Sequence, residues 1–104
     1  NYLRTEILYE AGLAPTRRPK DLSPEERTAL GEAAVVVGHR ALTHPGVTTP
    51  WTEVRQLKAE GATRREYRHM AFGRAGQPCR RCGGTIEKRT AAGRRLYRCP
   101  VCQG

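Results

Sequence analysis

Two pairs of cysteines near the end of the chain constrain its fold more than any other feature. They read Cys79-Arg-Arg-Cys82 and Cys99-Pro-Val-Cys102, and sixteen residues separate the two pairs. Each pair places two thiolates a short turn apart, and four thiolates suit a tetrahedral zinc site without an open coordination position. The spacing therefore predicts one structural Zn²⁺ held by Cys79, Cys82, Cys99 and Cys102. The alternative is two disulfides or free thiols.

The segment between the cysteine pairs has the pattern of a β-hairpin. We expect strands over residues 85–89 and 94–98, with Ala91-Ala92-Gly93 as the turn. A lobe of this size cannot fold on buried area alone, so the metal would supply its folding energy. Cysteines paired for metal fit a reducing cell interior, and we expect a cytoplasmic location.

The net positive charge of the chain is confined to this same C-terminal part. Residues 64–104 contain eleven Lys and Arg against Glu66 and Glu87, whereas residues 1–63 are neutral, and the formal net charge is +9. Four thiolates with one zinc ion add negative charge, which leaves the segment at about +7. This one-sided distribution favours nucleic-acid phosphates as the partner over a merely solvated surface.

The first half of the chain predicts two capped helices. Leu3, Ile7 and Ala11 form a helical stripe from an N-cap at Asn1 to a stop at Gly12. The second helix starts at the capping box of residues 23–26, with Pro24 at its first position, and runs to about Leu42. Its expected apolar face consists of Leu30, Ala34, Val37 and Ala41.

The middle of the chain is less informative. A short third helix is expected from Trp51 to about Ala59, and residues 64–72 are expected to be extended. Trp51 is interpreted as a packing residue, and the histidines show no ligand spacing to the cysteines. No apolar run near 18 residues predicts a membrane segment. Nothing in the pattern indicates an active site within this chain.

The two ends of the chain resemble one protein family. Asn1-Tyr-Leu-Arg-Thr-Glu-Ile-Leu, followed by Ala11-Gly-Leu, resembles the entry to the helix–two-turn–helix motif of bacterial formamidopyrimidine-DNA glycosylase and endonuclease VIII. The run from Phe72 to Gly83 and the run Tyr97-Arg-Cys-Pro-Val-Cys-Gln resemble the C-terminal zinc finger of that family. Asn-Tyr-Leu-Arg and Ile-Glu-Lys favour the endonuclease VIII branch, whereas residues 46–63 carry little of the resemblance.

The resemblance implies a mainly α fold with a small β-hairpin zinc finger. A helix–two-turn–helix DNA-binding domain would occupy residues 1–71, and a four-cysteine zinc ribbon would occupy residues 72–104. The implied function is the DNA-binding C-terminal part of a base excision repair glycosylase and AP lyase that acts on oxidised bases. The family's proline nucleophile lies in an N-terminal β-sandwich domain that this chain does not contain, so the chain alone is expected to be inactive.

The resemblance also implies partners and contact residues. Asn1 matches an asparagine that contacts the phosphates beside the lesion, and Arg94 matches a zinc-finger arginine that binds the same region. Arg95 is the adjacent candidate. The expected partners are damaged double-stranded DNA and the N-terminal catalytic domain, in a monomeric bacterial protein associated with the nucleoid and not with a membrane.

Two other functions stay open at this point. The chain would fit a stand-alone zinc ribbon that binds nucleic acid or a protein without catalysis, or a purely structural subunit. Because it begins Asn-Tyr-Leu-Arg, without methionine and apolar from its second residue, we expect a piece of a longer protein.

Overall fold

The computed structural model describes residues 2–91 and 93–104. Within these residues, four α-helices precede one antiparallel hairpin. The elements are α1 (Tyr2–Ala11), α2 (Pro24–Thr43), α3 (Trp51–Ala59), α4 (Arg64–Tyr67), β1 (Glu87–Ala91) and β2 (Arg94–Arg98), with one 3₁₀ turn at Pro19–Asp21. None of the helices in the described part of the chain has the length and apolar character needed to cross a membrane.

The helix boundaries in the first half agree with the predicted caps. Gly12 ends α1 with a φ of 72°, in the left-handed region that glycine adopts without strain. At the start of α2, the Ser23 hydroxyl accepts from Glu26 N–H at 3.1 Å, and the Glu26 carboxylate accepts from Ser23 N–H at 2.8 Å. This reciprocal capping box satisfies two amides that a helix start leaves free.

The buried faces of these helices differ from the predicted stripes. On α1 the predicted stripe of Leu3, Ile7 and Ala11 is only half-buried. The buried residues are Thr5, Glu6 and Tyr9. On α2, Ala33 and Val37 are buried while Ala34 is exposed. The spacing of apolar residues therefore predicted both helices correctly. It did not predict which side of α1 faces the core.

The expectation that residues 64–72 are extended was wrong. Arg64–Tyr67 forms the short helix α4, whose N-cap is Thr63. The Glu66 carboxylate accepts from Thr63 N–H at 2.7 Å. Thr63-x-x-Glu66 is a capping-box sequence, so the chain carried a local signal for this helix.

The hairpin between the cysteine pairs is present, with its first strand displaced. Strand β1 covers 87–91 instead of 85–89, and Thr85 forms an isolated bridge with Pro78. Glu87 pairs with Arg98 at the open end of the hairpin. In the predicted turn, Ala91 belongs to β1, Gly93 has a φ of 75°, and Ala92 lies outside the described residues.

One hydrophobic core joins the helical part to the hairpin part. It consists of Tyr9, Met70, Ala71, Cys79, Ile86, Tyr97 and Cys99, with Phe72 and Cys102 packed against it. These residues come from α1, from the segment after α4 and from the cysteine-rich lobe. The core therefore crosses the boundary between residues 71 and 72, and that domain division stays a prediction.

Candidate zinc centre and nucleic-acid surface

The four cysteines meet at one point. Their Sγ atoms all lie within 4.8 Å of one another. Cys79 Sγ is 3.9 Å from Cys102 Sγ, and Cys82 Sγ is 3.4 Å from Cys99 Sγ. A tetrahedral site with zinc–sulfur bonds of about 2.3 Å requires sulfur–sulfur distances of about 3.8 Å, whereas a disulfide requires about 2.05 Å. The four thiols are free, and their geometry fits one zinc ion.

Backbone amides of both cysteine pairs point at the sulfur atoms. Arg81 N–H lies 3.4 Å from Cys79 Sγ, and Gly84 N–H lies 3.4 Å from Cys82 Sγ. In the second pair, Cys102 N–H lies 3.4 Å from Cys99 Sγ. These donors stabilise thiolates, so the turns supply part of the electrostatic environment that the metal needs.

The cysteine thiols differ in acidity. Burial raises the pKa of Cys79, but hydrogen bonds from Tyr9 and from the amides of Cys82 and Arg81 outweigh it and lower the pKa to about 6. Burial and the neighbouring thiols raise the pKa of Cys102 to about 12. All four sulfur atoms must be thiolates to bind the metal, so zinc binding is expected to release protons.

Glu6 is a buried carboxylate that no pattern in the sequence indicated. Its Oε1 accepts from Met70 N–H at 2.6 Å and from the Thr48 hydroxyl at 2.5 Å. Its Oε2 accepts from Ala71 N–H at 2.7 Å and from Phe72 N–H at 3.0 Å. One side chain of α1 thus holds three consecutive amides of the segment that leads into the zinc lobe, which fixes the lobe relative to α1.

His69 extends this polar cluster. Its Nδ1 lies 2.9 Å from the Thr48 hydroxyl. Because that hydroxyl donates to the Glu6 carboxylate, it accepts from His69, and the ring proton is assigned to Nδ1. Burial lowers the pKa of His69, and the positive charges of Arg68, Arg64 and Arg80 lower it further against the opposing effect of Glu6. The imidazole is therefore a neutral hydrogen-bond donor with a structural role.

A row of aromatic rings connects the first turn of α1 to strand β2. Tyr2 stacks on His69 with ring centroids 4.7 Å apart, and Phe72 meets Tyr2 at 6.4 Å. Phe72 also contacts Tyr97 at 4.9 Å. The helix entry and the hairpin, which carry the predicted DNA contacts, are therefore held side by side.

The predicted DNA-binding residues have different outcomes. Asn1 lies outside the described residues. Arg94 and Arg95 are both exposed at the start of β2, next to the turn. The Arg95 guanidinium lies 5.9 Å from the centre of the Phe72 ring, whereas the Arg94 side chain makes no hydrogen bond or ion pair with the described residues. Both arginines are thus available to an anion, and their role in DNA binding stays a prediction.

Several arginines of the basic segment are engaged within the protein instead. Arg74 donates to the carbonyls of Met70 at 2.8 Å and Pro78 at 2.9 Å. Arg80 donates to the carbonyls of Glu66 and His69. The formal charge of residues 64–104 therefore overstates the number of side chains that are free to meet phosphate.

Two further arginines of this segment lie in ion pairs. Arg81 binds the Glu10 carboxylate at 2.9 Å, and Arg98 reaches the Glu87 carboxylate at 3.3 Å.

Trp51, in the neutral half of the chain, stacks on His44 with ring centroids 3.8 Å apart. Trp51 is nevertheless 40% exposed, so its interpretation as a packing residue stays a prediction.

Comparisons with known proteins agree on one group of relatives. The family described as "Zinc finger found in FPG and IleRS" matches residues 76–104. Endonuclease 8 of Enterobacter sp. (strain 638) is 42% identical over 103 residues, which are 99% of this chain and 36% of that protein. The chain therefore spans little more than a third of the length of the curated relatives that it matches.

Solved structures show the same relationship. The MutM (Fpg) protein from Thermus thermophilus is 30% identical with a TM-score of 0.77, and the alignment covers 100% of this chain and 39% of that chain. A complex of Lactococcus lactis Fpg (MutM) with an oxidized-pyrimidine-containing DNA is 25% identical with a TM-score of 0.75, covering 99% and 35%.

The fold and the cysteine cluster define a class: a helical domain that carries a four-cysteine zinc finger, with the mainly α fold that the sequence predicted. Within that class, the chain is similar in sequence and in fold to the C-terminal part of the formamidopyrimidine-DNA glycosylase and endonuclease VIII family. The predicted resemblance is therefore confirmed. The curated relative named above is an endonuclease 8, in agreement with the predicted branch.

Proposed function

We propose that this chain is the DNA-binding C-terminal part of a base excision repair DNA glycosylase and AP lyase that acts on oxidised bases. The observation that carries the proposal is the 42% identity to an endonuclease 8 over 99% of the chain. The Lactococcus lactis relative is in complex with DNA that contains an oxidized pyrimidine, which supports a duplex with a damaged base as the ligand. Glycosylase and lyase chemistry would reside in an N-terminal catalytic domain, the partner that completes the enzyme.

The proposed division of labour places DNA contact at the junction of α1 and the hairpin. The helical domain (residues 1–71) would contribute Asn1, and the zinc finger (residues 72–104) would contribute Arg94 with Arg95 beside it. Contacts to backbone phosphates position a protein on DNA and do not read base sequence. We therefore expect the affinity for DNA to depend strongly on salt concentration and weakly on the bases around the lesion. We also expect the protein to be a monomer located at the bacterial nucleoid.

Fluorescence anisotropy with a labelled duplex that contains an abasic-site analogue tests this proposal. If three or four phosphates are neutralised, the slope of log affinity against log salt should be about −3 to −4, from about −0.9 per phosphate. Arg94→Ala should weaken binding to every sequence and reduce the slope by about one. Arg95→Ala, measured in parallel, shows which of the two neighbours binds phosphate.

The control for these variants is Arg27→Ala. Arg27 is exposed on α2 in the neutral half of the chain, so the substitution removes the same charge at a different place. It should leave the slope within error of the parental value. A slope that neither hairpin variant changes, or that Arg27→Ala changes as much, would contradict the assignment of these arginines as phosphate contacts.

A further inference from the structure

We propose that the C-terminal end of α1 is part of the zinc centre, and that Tyr9 is a positioning residue for the metal-binding thiolate of Cys79. The Tyr9 hydroxyl lies 3.0 Å from Cys79 Sγ, although 70 positions separate the two residues in the chain. Tyr9 is 1% exposed, so water does not compete for its hydroxyl. A zinc-bound thiolate carries no proton, so the hydroxyl must be the donor.

The ring of Tyr9 is held in place by the same cysteine pair that its hydroxyl contacts. Arg81 lies between Cys79 and Cys82, and its guanidinium lies 4.9 Å from the centre of the Tyr9 ring. Arg81 also binds the Glu10 carboxylate at 2.9 Å, and Arg40 of α2 binds the same carboxylate at 2.9 Å. The first cysteine pair is therefore tied to α1 by a hydrogen bond, a cation–π contact and an ion pair.

The second cysteine pair is tied to the residues that follow α1. The Gln103 side-chain amide donates to the carbonyl of Leu13 at 2.9 Å, and its oxygen accepts from Cys99 N–H at 2.8 Å. A Cβ built on Gly12 would lie 3.5 Å from the carbonyl oxygen of Cys102. Both cysteine pairs thus close against one helix end.

This arrangement gives α1 a role in metal binding that the cysteine spacing does not show. A hydrogen bond to a ligating sulfur stabilises the thiolate and fixes its direction, and partners of metal ligands generally affect affinity about 10- to 100-fold. Zinc occupancy and the orientation of α1 are coupled, because the metal fixes Cys79 and Cys79 fixes Tyr9.

Zinc affinity of Tyr9→Phe, measured by competition with a chromogenic chelator, tests the proposal. The substitution keeps the buried ring and removes only the hydroxyl, and the expected loss of affinity is about 10- to 100-fold. Tyr97→Phe is the matched control. Tyr97 is also a buried tyrosine of the same core, and its hydroxyl makes no hydrogen bond with the described residues. This control should bind zinc as the parental chain does.

Cobalt substitution supplies a spectroscopic readout. Without the Tyr9 hydrogen bond the Cys79 thiolate is more electron-rich, so the sulfur-to-cobalt charge-transfer band of Tyr9→Phe should move to lower energy, whereas that of Tyr97→Phe should not. A Tyr9→Phe affinity within about twofold of the parental value, with an unchanged cobalt spectrum, would overturn the proposal. Should Tyr9→Phe fail to fold, Glu10→Ala replaces it, because it removes the carboxylate by which α1 holds Arg81. That variant should bind zinc several-fold more weakly, and an unchanged affinity would overturn the assignment of the end of α1 to the zinc centre.

Discussion

Glu6→Gln is the substitution that most directly tests how the helical part is joined to the zinc lobe. The glutamate is 2% exposed and accepts four hydrogen bonds, three of them from consecutive backbone amides. Glutamine has nearly the same shape but replaces one oxygen with a donor. Any loss of stability therefore reports on hydrogen bonding and charge rather than on packing volume.

The structure predicts where the new amide group will lie. The Thr48 hydroxyl can rotate to accept from it, since Arg68 O lies 3.3 Å away as an alternative acceptor for the hydroxyl proton. The glutamine nitrogen should therefore replace Oε1, which leaves Met70 N–H without a partner, at a cost of about 1–3 kcal/mol. The bonds from Ala71 and Phe72 would then go to a neutral acceptor, and each should weaken by about 1 kcal/mol. The expected total loss is about 3–5 kcal/mol, a large fraction of the roughly 5–15 kcal/mol that holds an average domain together.

Urea unfolding of the zinc-saturated protein, followed by far-ultraviolet circular dichroism, measures this loss. Glu32→Gln is the control, because Glu32 is exposed on α2 and should change the free energy of unfolding by less than about 0.5 kcal/mol. If Glu6→Gln were as stable as the control, the buried carboxylate would not be what holds residues 70–72. In that case the reasoning that places α1 at the junction would fail.

Two further predictions concern the metal and the buried histidine. Elemental analysis of protein purified without added metal should give one zinc per chain, bound by the four cysteines. A zinc-to-protein ratio near zero, together with a protein mass that corresponds to two disulfide bonds, would exclude the site. Burial lowers the pKa of His69 in the folded state. The unfolded chain therefore binds an extra proton below about pH 6.5, and stability should fall as the pH drops from about 7.5 to about 5.5. His69→Asn, which can still donate to Thr48, should show a shallower fall over that range; an equal fall would assign the pH dependence to other groups.

The sequence revealed those features that depend on short spacing. The cysteine pairs predicted the zinc lobe, and the capping box at residues 23–26 placed the start of α2. The helix α4 was missed although Thr63 and Glu66 have the same capping spacing, because the expectation rested on apolar residues alone. That signal was present in the chain.

Other features depend on parts of the chain that lie far apart in sequence. Glu6 has the position of an ordinary polar helix residue, and its burial arises only because amides about 64 residues later point at it. The link from Tyr9 to Cys79 spans 70 positions and has no local signature. A periodicity argument assumes that polar residues face water, so it could not place the polar face of α1 in the core.

The arginines show why net charge alone does not define a binding surface. A small lobe with few apolar residues leaves carbonyl oxygens to be satisfied, and guanidinium groups offer five donors in a fixed plane. Arg74 and Arg80 use these donors on carbonyls of α4 and of the segment that leads from α4 to the zinc centre. Their charge still contributes to the field around the protein, but each already uses two of its donors within the protein. Other basic side chains of the segment stay exposed, among them Arg94 and Arg95 at the hairpin turn, beside the aromatic row that fixes the hairpin to α1. These two are the phosphate contacts that we propose. The same residue type thus builds the scaffold at one end of the lobe and is free to meet a ligand at the other.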